Sequence, residues 1–221
     1  MNRKTRHLTV ETLPRRAGDY IIYNRLGTPC LRRLPKNFHP ESHFTEAHRV
    51  NQDRIRYLVS LYQALEGTKA RESWRDAPKQ AGQTGYNAFV SRNYAAFNAK
   101  EAVADHARLT LSDGRLRHPL GLGARVRGER EIAFEWETQD DQLLGAQSDR
   151  PRVILMPDDG SYGIIARESL EAKRKDGRVV VTLSPEEGRP PFAYLYWESR
   201  DGRRFSPTQF LLIAWDGGGE P

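Results

Sequence analysis

Near residue 108 the hydrophobic period of this chain changes from about 3.6 residues to 2, and that change limits the architectures open to it. Before it, Ile55, Leu58, Val59, Tyr62 and Leu65 recur at spacings of three and four, and so do Tyr86, Phe89, Val90, Tyr94 and Phe97. Each set makes one apolar stripe along a helix. After it, Ile132, Phe134 and Trp136 alternate with Glu131, Glu135 and Glu137, and short apolar runs follow at residues 153–156, 163–166, 179–181, 192–197 and 210–215. Asp158-Asp159-Gly160, Asp176-Gly177, Glu187-Gly188 and Asp201-Gly202 supply turns between them. Six or seven short strands over about 100 residues are the pattern of a small antiparallel sandwich.

The helical part has readable ends. Thr45 with Glu46 in the first turn starts one helix and Gly67 stops it, while a second begins at about Thr84. Residues 67–84 are polar, with Trp74 the one large apolar side chain, so they read as a connector between two helices that form an antiparallel hairpin. Upstream, Tyr20-Ile21-Ile22-Tyr23 and Cys30-Leu31-Arg32-Arg33-Leu34 flank Gly27-Thr28-Pro29 and predict a hairpin or extended strap. Two strands alone are marginal in water, so the strap needs a surface to lie on. Residues 1–18 show no sustained period and read as an arm. The expected division is therefore a basic arm (1–18), a strap plus helical hairpin (19–110), a sandwich (111–216) and a flexible tail (217–221).

Charge follows the same division. Residues 1–100 carry 18 Lys+Arg against 8 Asp+Glu, whereas residues 101–221 carry 17 against 21. An anionic partner is thus expected for the first half only. Cys30 is the only cysteine, which excludes an internal disulfide and a cysteine-rich zinc cluster. No apolar run follows the Arg and Lys of residues 1–10, and nowhere do 18 apolar residues run together. The expectation is a chain of the cytoplasm, or of a particle assembled there, without membrane contact.

The strap GDYIIYNRLGTPCLRRLPK, the helix TEAHRVNQDRIRYLVSLYQAL, the segment GYNAFVSRNYAAF, and IAFEWE, RVILMPDDG and AYLYWESRDGRRFSPTQFLL, in this order and spacing, resemble an uncharacterised family of bacterial proteins of similar size, a domain of unknown function. The resemblance covers about residues 18–215. It implies a helical N-terminal part and an immunoglobulin- or fibronectin-type sandwich, and so an α+β fold class. It implies no activity and carries over no catalytic residue.

Chemistry-bearing residues give weaker signals than the architecture. His39, Glu41, His43 and His48 lie within ten residues, but His43 and His48 are five apart, the wrong spacing for one helix face, and polar loop residues are the better reading. Asp158-Asp159-Gly160 lacks the remaining spacing of a calcium loop and reads as a β-turn. Glu135 and Glu137 fall on a solvent face and Asp140 and Asp141 in the loop after it, which favours an acidic edge over an acid-base pair. No nucleophile elbow or phosphate-loop spacing is present, so no catalytic residue, cofactor or metal is expected. Trp136, Tyr194 and Tyr196 sit at core-facing periodicity. Trp197 points the opposite way from Tyr196 and is the candidate for ligand contact.

The candidate contact residues are Arg3, Lys4, Arg6, Arg15, Arg16, Arg25, Arg32, Arg33 and Lys36, with Tyr20 and Tyr23 interleaved. Such a set can clasp the acidic face of a neighbouring copy, or neutralise phosphates while the tyrosines stack on bases. The expected function is a non-enzymatic structural or interaction protein in a multi-copy assembly, with a phage particle, tail or injection apparatus as an example, and with copies of itself or other proteins of the assembly as partners. The alternatives are nucleic-acid binding through the basic arm and an adhesin-like module.

Overall fold

The computed structural model describes residues 16–25, 28–34, 45–77, 82–98, 103, 105–138 and 146–215. The chain divides into two compact units, Met1–Thr45 and Glu46–Pro221. The second unit holds both the helices and the sandwich, whose division was expected near residue 110, and the helices pack on one face of the sandwich.

In the first unit, β1 (Arg16–Ala17), β2 (Tyr20–Arg25) and β3 (Thr28–Arg33) form an antiparallel sheet in the order β1-β2-β3. The predicted strap is present and gains a third strand from what read as the arm. Gly18 makes the tight turn between β1 and β2 with φ 59°, a region that glycine enters without steric cost. Pro29 is tolerated within β3 because β3 is an edge strand and need not donate every ladder N–H.

In the second unit, α1 (Glu46–Ala64) buries Leu58 of the predicted stripe and also Leu61, which lay outside it. α2 (Lys69–Asp76) and α3 (Gly85–Asn93) follow, so the expected helical hairpin is a set of three helices. The Thr68 hydroxyl accepts from the Arg71 amide at 3.2 Å and donates to the Leu65 carbonyl at 2.7 Å, capping the new helix. Pro78 lies just past its end, and Ala77 takes the extended backbone favoured before proline. The apolar content of α2 amounts to Ala70 and Trp74, too little for a periodicity, but Trp74 is fully buried, donates its indole N–H to the Leu111 carbonyl at 2.8 Å and meets Phe89 edge-on at 5.3 Å. A side chain at Gly85 would lie 2.6 Å from the Trp74 carbonyl oxygen, so the start of α3 requires glycine.

The remaining elements are β4 (Gly123–Arg127), β5 (Glu131–Glu135), β6 (Arg150–Met156), β7 (Ile165–Arg167), β8 (Arg178–Thr182), β9 (Phe192–Glu198) and β10 (Gln209–Leu212). They form two antiparallel sheets, β4-β5-β8 and β10-β9-β6-β7. Seven strands divided three and four in this order make an immunoglobulin- or fibronectin-type sandwich, and the fold is α+β. β4 escaped the sequence reading because only Ala124 and Val126 of its five residues are inward-facing apolar ones.

Two cores meet at the four-stranded sheet. Ile132, Phe134, Trp136, Val153, Leu155, Val181, Leu195 and Trp197 fill the space between the two sheets. Ile154, Met156, Tyr194 and Tyr196 leave the opposite face of β6 and β9 and pack with Leu58, Leu61, Leu65, Trp74 and Phe89 of the helical part. Both faces of β6 and β9 are therefore dry, which explains why these strands read as continuous apolar runs rather than alternating ones.

Candidate interaction surface

Arg16, Arg25, Arg32 and Arg33 lie on the N-terminal sheet and are exposed. Arg3, Lys4, Arg6, Arg15 and Lys36 lie outside the described residues. Side chains alternate between the faces of a sheet, and residues directly opposite each other share a face. The register pairs Arg16 with Ile21, Ile21 with Arg32, Tyr23 with Cys30 and Arg25 with Thr28. One face thus carries Arg16, Arg25 and Arg32 around Ile21, Tyr23 and Cys30. Ala17, Tyr20, Ile22 and Leu31 occupy the other, together with Asn24, Pro29 and Arg33. The tertiary arrangement separates Arg33 from the other arginines, a division the linear sequence did not reveal.

On the basic face Arg16 and Arg32 flank Ile21 across two strand spacings, about 10 Å. The Arg16 Nε donates to the Gly18 carbonyl at 3.1 Å, which steadies the guanidinium at one corner. On the apolar face Tyr20 is 41% exposed and Leu31 61%. No residue of 16–25 or 28–34 is buried, so this sheet has no core of its own.

Trp197 is not a ligand platform. It is fully buried, its ring meets Trp136 edge-on at 4.9 Å, and the Arg174 guanidinium lies 4.4 Å from its centroid. The expectation that its outward direction meant exposure fails because the second sheet covers that side of β9. Trp136 is buried as expected and donates its indole N–H to the Arg174 carbonyl at 2.6 Å. The Arg174 Nη2 donates to the Arg117 carbonyl at 2.6 Å, and Nε lies 3.8 Å from an Asp149 carboxylate oxygen. Burial raises the Asp149 carboxyl and lowers the Arg174 guanidinium, and in each case their mutual attraction offsets only part of that burial effect. This buried cluster closes one end of the sandwich and is structural.

The other sequence candidates remain apart. His48 is exposed on α1, and His39, Glu41 and His43 lie outside the described residues, among which no group of three or more His, Cys, Asp and Glu could hold a metal ion. Asp158-Asp159-Gly160 is a turn in which Asp159 accepts from the Ser161 amide at 2.8 Å and Gly160 has φ 69°. Bonds from the Ser161 hydroxyl and amide hold the Asp159 carboxyl below its ordinary range. Glu135 pairs with Arg127 at 3.0 Å, Glu137 is exposed, and Asp140 and Asp141 lie outside the described residues. Among the described residues no helix is long and apolar enough to cross a membrane.

The fn3 domain of human contactin 1 is similar to this chain, with a TM-score of 0.26 and 13% sequence identity over 49% of this chain and 88% of that one. No protein-family model and no curated protein matches the chain.

Proposed function

We propose that this is a non-enzymatic interaction protein of a multi-copy assembly, and that its N-terminal sheet seats on a neighbouring copy. One observation carries the reading: a three-stranded sheet with an apolar face and a basic face buries none of its described residues. Sheets of this size gain independent stability by covering an apolar face. The excess of acidic residues in 101–221 supplies a complementary surface for the arginines. In its finer form the proposal places the chain in a phage particle, tail or injection apparatus, as a member of the bacterial family that its motifs resemble.

Sedimentation of the full chain against Tyr20→Asp/Leu31→Asp tests this reading. The expected result is a concentration-dependent multimer that the double substitution reduces in order. A full chain that stays monomeric at high concentration overturns the proposal.

The grouping of Arg16, Arg25 and Arg32 around Tyr23 favours nucleic-acid binding as the second reading. Three phosphate contacts give a log–log salt slope of about −3, close to −0.9 for each phosphate neutralised. Retention on DNA or RNA with that slope, lost in Arg16→Glu/Arg25→Glu/Arg32→Glu while the multimer persists, would replace assembly by the second reading.

A further inference from the structure

A cleft of about 380 Å³ opens where the end of β6 meets the segment that leads into the sandwich from the helices. Val103, Met156 and Pro157 give it apolar walls, while His106, Asp158 and Tyr162 supply its ionisable groups. The volume falls at the small end of ligand sites. Nothing in the sequence around His106 distinguishes it, because its partners come from β9 and from the turn after β6.

His106 is held by Phe192 and Tyr194. Its ring stacks on Phe192 with centroids 3.7 Å apart and an interplanar angle of 18°. The Tyr194 hydroxyl lies 3.0 Å from Nδ1 and 3.2 Å from the His106 carbonyl oxygen, and it can donate to either. A phenol has one proton. When that proton is on the carbonyl, the neutral ring carries its hydrogen on Nδ1 toward Tyr194 and offers the Nε2 lone pair to the cleft. Burial favours the neutral ring and outweighs the opposing fields of Asp158 and Asp105. Burial likewise holds the Tyr194 phenol protonated.

The carboxylates near the ring differ in what they can offer. Asp105 accepts from the Ala107 amide at 3.1 Å and pairs with Arg108 at 3.0 Å. Asp158 is exposed at the mouth of the cleft and makes no ion pair among the described residues. The cleft thus combines an uncharged nitrogen acceptor, a carboxylate and an apolar wall.

We infer that this cleft binds a primary ammonium group on a short aliphatic stem, with the nitrogen donating to His106 Nε2 and to Asp158 and the stem lying against Val103, Met156 and Pro157. An ammonium supplies three donors and a charge that a carboxylate complements, whereas an anion would meet Asp158 with repulsion. A stem of about four carbons places this ligand in the millimolar range expected of so few atoms. The inference does not depend on the N-terminal sheet.

The test is titration of the full chain with n-butylammonium, followed by NMR at the His106 ring and the Met156 methyl group. Saturable shifts at both positions are expected, with butanol and butyrate producing none. Asp158→Asn, on an exposed turn, should weaken binding about tenfold without changing the thermal midpoint, and His106→Phe, which keeps a ring over Phe192, should abolish it. Butanol binding as well as butylammonium, or an Asp158→Asn variant with unchanged affinity, overturns the inference. A blocked Gly-Lys-Gly peptide that binds more tightly than butylammonium identifies a lysine of a protein partner as the source, and weaker binding of the peptide identifies a free amine.

Discussion

Tyr196 and Trp197 are consecutive on β9 and both are fully buried, yet they belong to different cores. Tyr196 faces the helices and donates its hydroxyl to Glu168 at 3.1 Å, beside the first residue of α2. Trp197 faces the three-stranded sheet and stacks its edge on Trp136. The four-stranded sheet is thus a shared wall, and the helices act as a third layer of the sandwich.

This wall predicts the behaviour of fragments. A piece spanning residues 112–215 would expose Ile154, Met156, Tyr194 and Tyr196, whose burial contributes on the order of 8 kcal/mol. That is comparable to the whole net stability of a domain. The fragment is expected to bind a hydrophobic dye and to lack a cooperative thermal transition, whereas residues 46–215 should unfold cooperatively. A dye-silent, cooperatively melting 112–215 fragment would show that the helices are dispensable.

Trp136→Ala and Trp197→Ala should each cost about 3–5 kcal/mol in urea unfolding, as expected for truncating a large buried aromatic. Their rings touch, so the double variant should lose less than the sum of the two. Strict additivity would mean that the two indoles do not share a packing site.

Arg152 and Glu198 form an ion pair at 2.6 Å with side chains only 7% and 6% exposed. Arg152→Ala should cost about 3–5 kcal/mol because it leaves the glutamate buried without its partner. Arg152→Met combined with Glu198→Leu should recover most of that loss, since an apolar pair of similar volume avoids the desolvation of both charges. Equal stability of the single and double variants would contradict this assignment.

Stability should fall on mild acidification. Burial, assisted by the Arg174 charge, lowers His118 to about 4 from its ordinary 6.5, and its buried Nδ1 has no partner among the described residues. Between these values the unfolded chain binds the proton and the folded chain does not. Stability therefore rises with pH across that window, by about 3 kcal/mol in total for this one group. His106, also lowered by burial, acts with the same sign. Unfolding free energies measured from pH 4 to 7 should show this slope, and His118→Asn should flatten it. A slope unchanged in the variant would move the effect to other groups.

Much of the architecture was legible because it depends on neighbours within a few positions. The stripe of α1, the Thr84 cap of α3 and the apolar runs of β6, β8 and β9 are local patterns, and the structure places an element at each. The alternation of the N-terminal strands also determined which residues share a face once their pairing was known. The hidden features depend on distant partners. α2 has one large apolar residue, and its place is decided by Leu111 and Phe89, which receive Trp74. Trp197 points outward from the helical core, and only the packing of the second sheet turns that direction into an interior. His106 became a candidate ligand group through Tyr194 and Phe192, far along the chain. The sequence by itself determined those helices and strands whose period and caps are written within the segment, such as α1, α3, β6, β8 and β9. Only the tertiary structure decided which faces are dry and which distant groups surround Trp74, Trp197 and His106, because burial and hydrogen bonding are set by groups that meet only when the chain is folded.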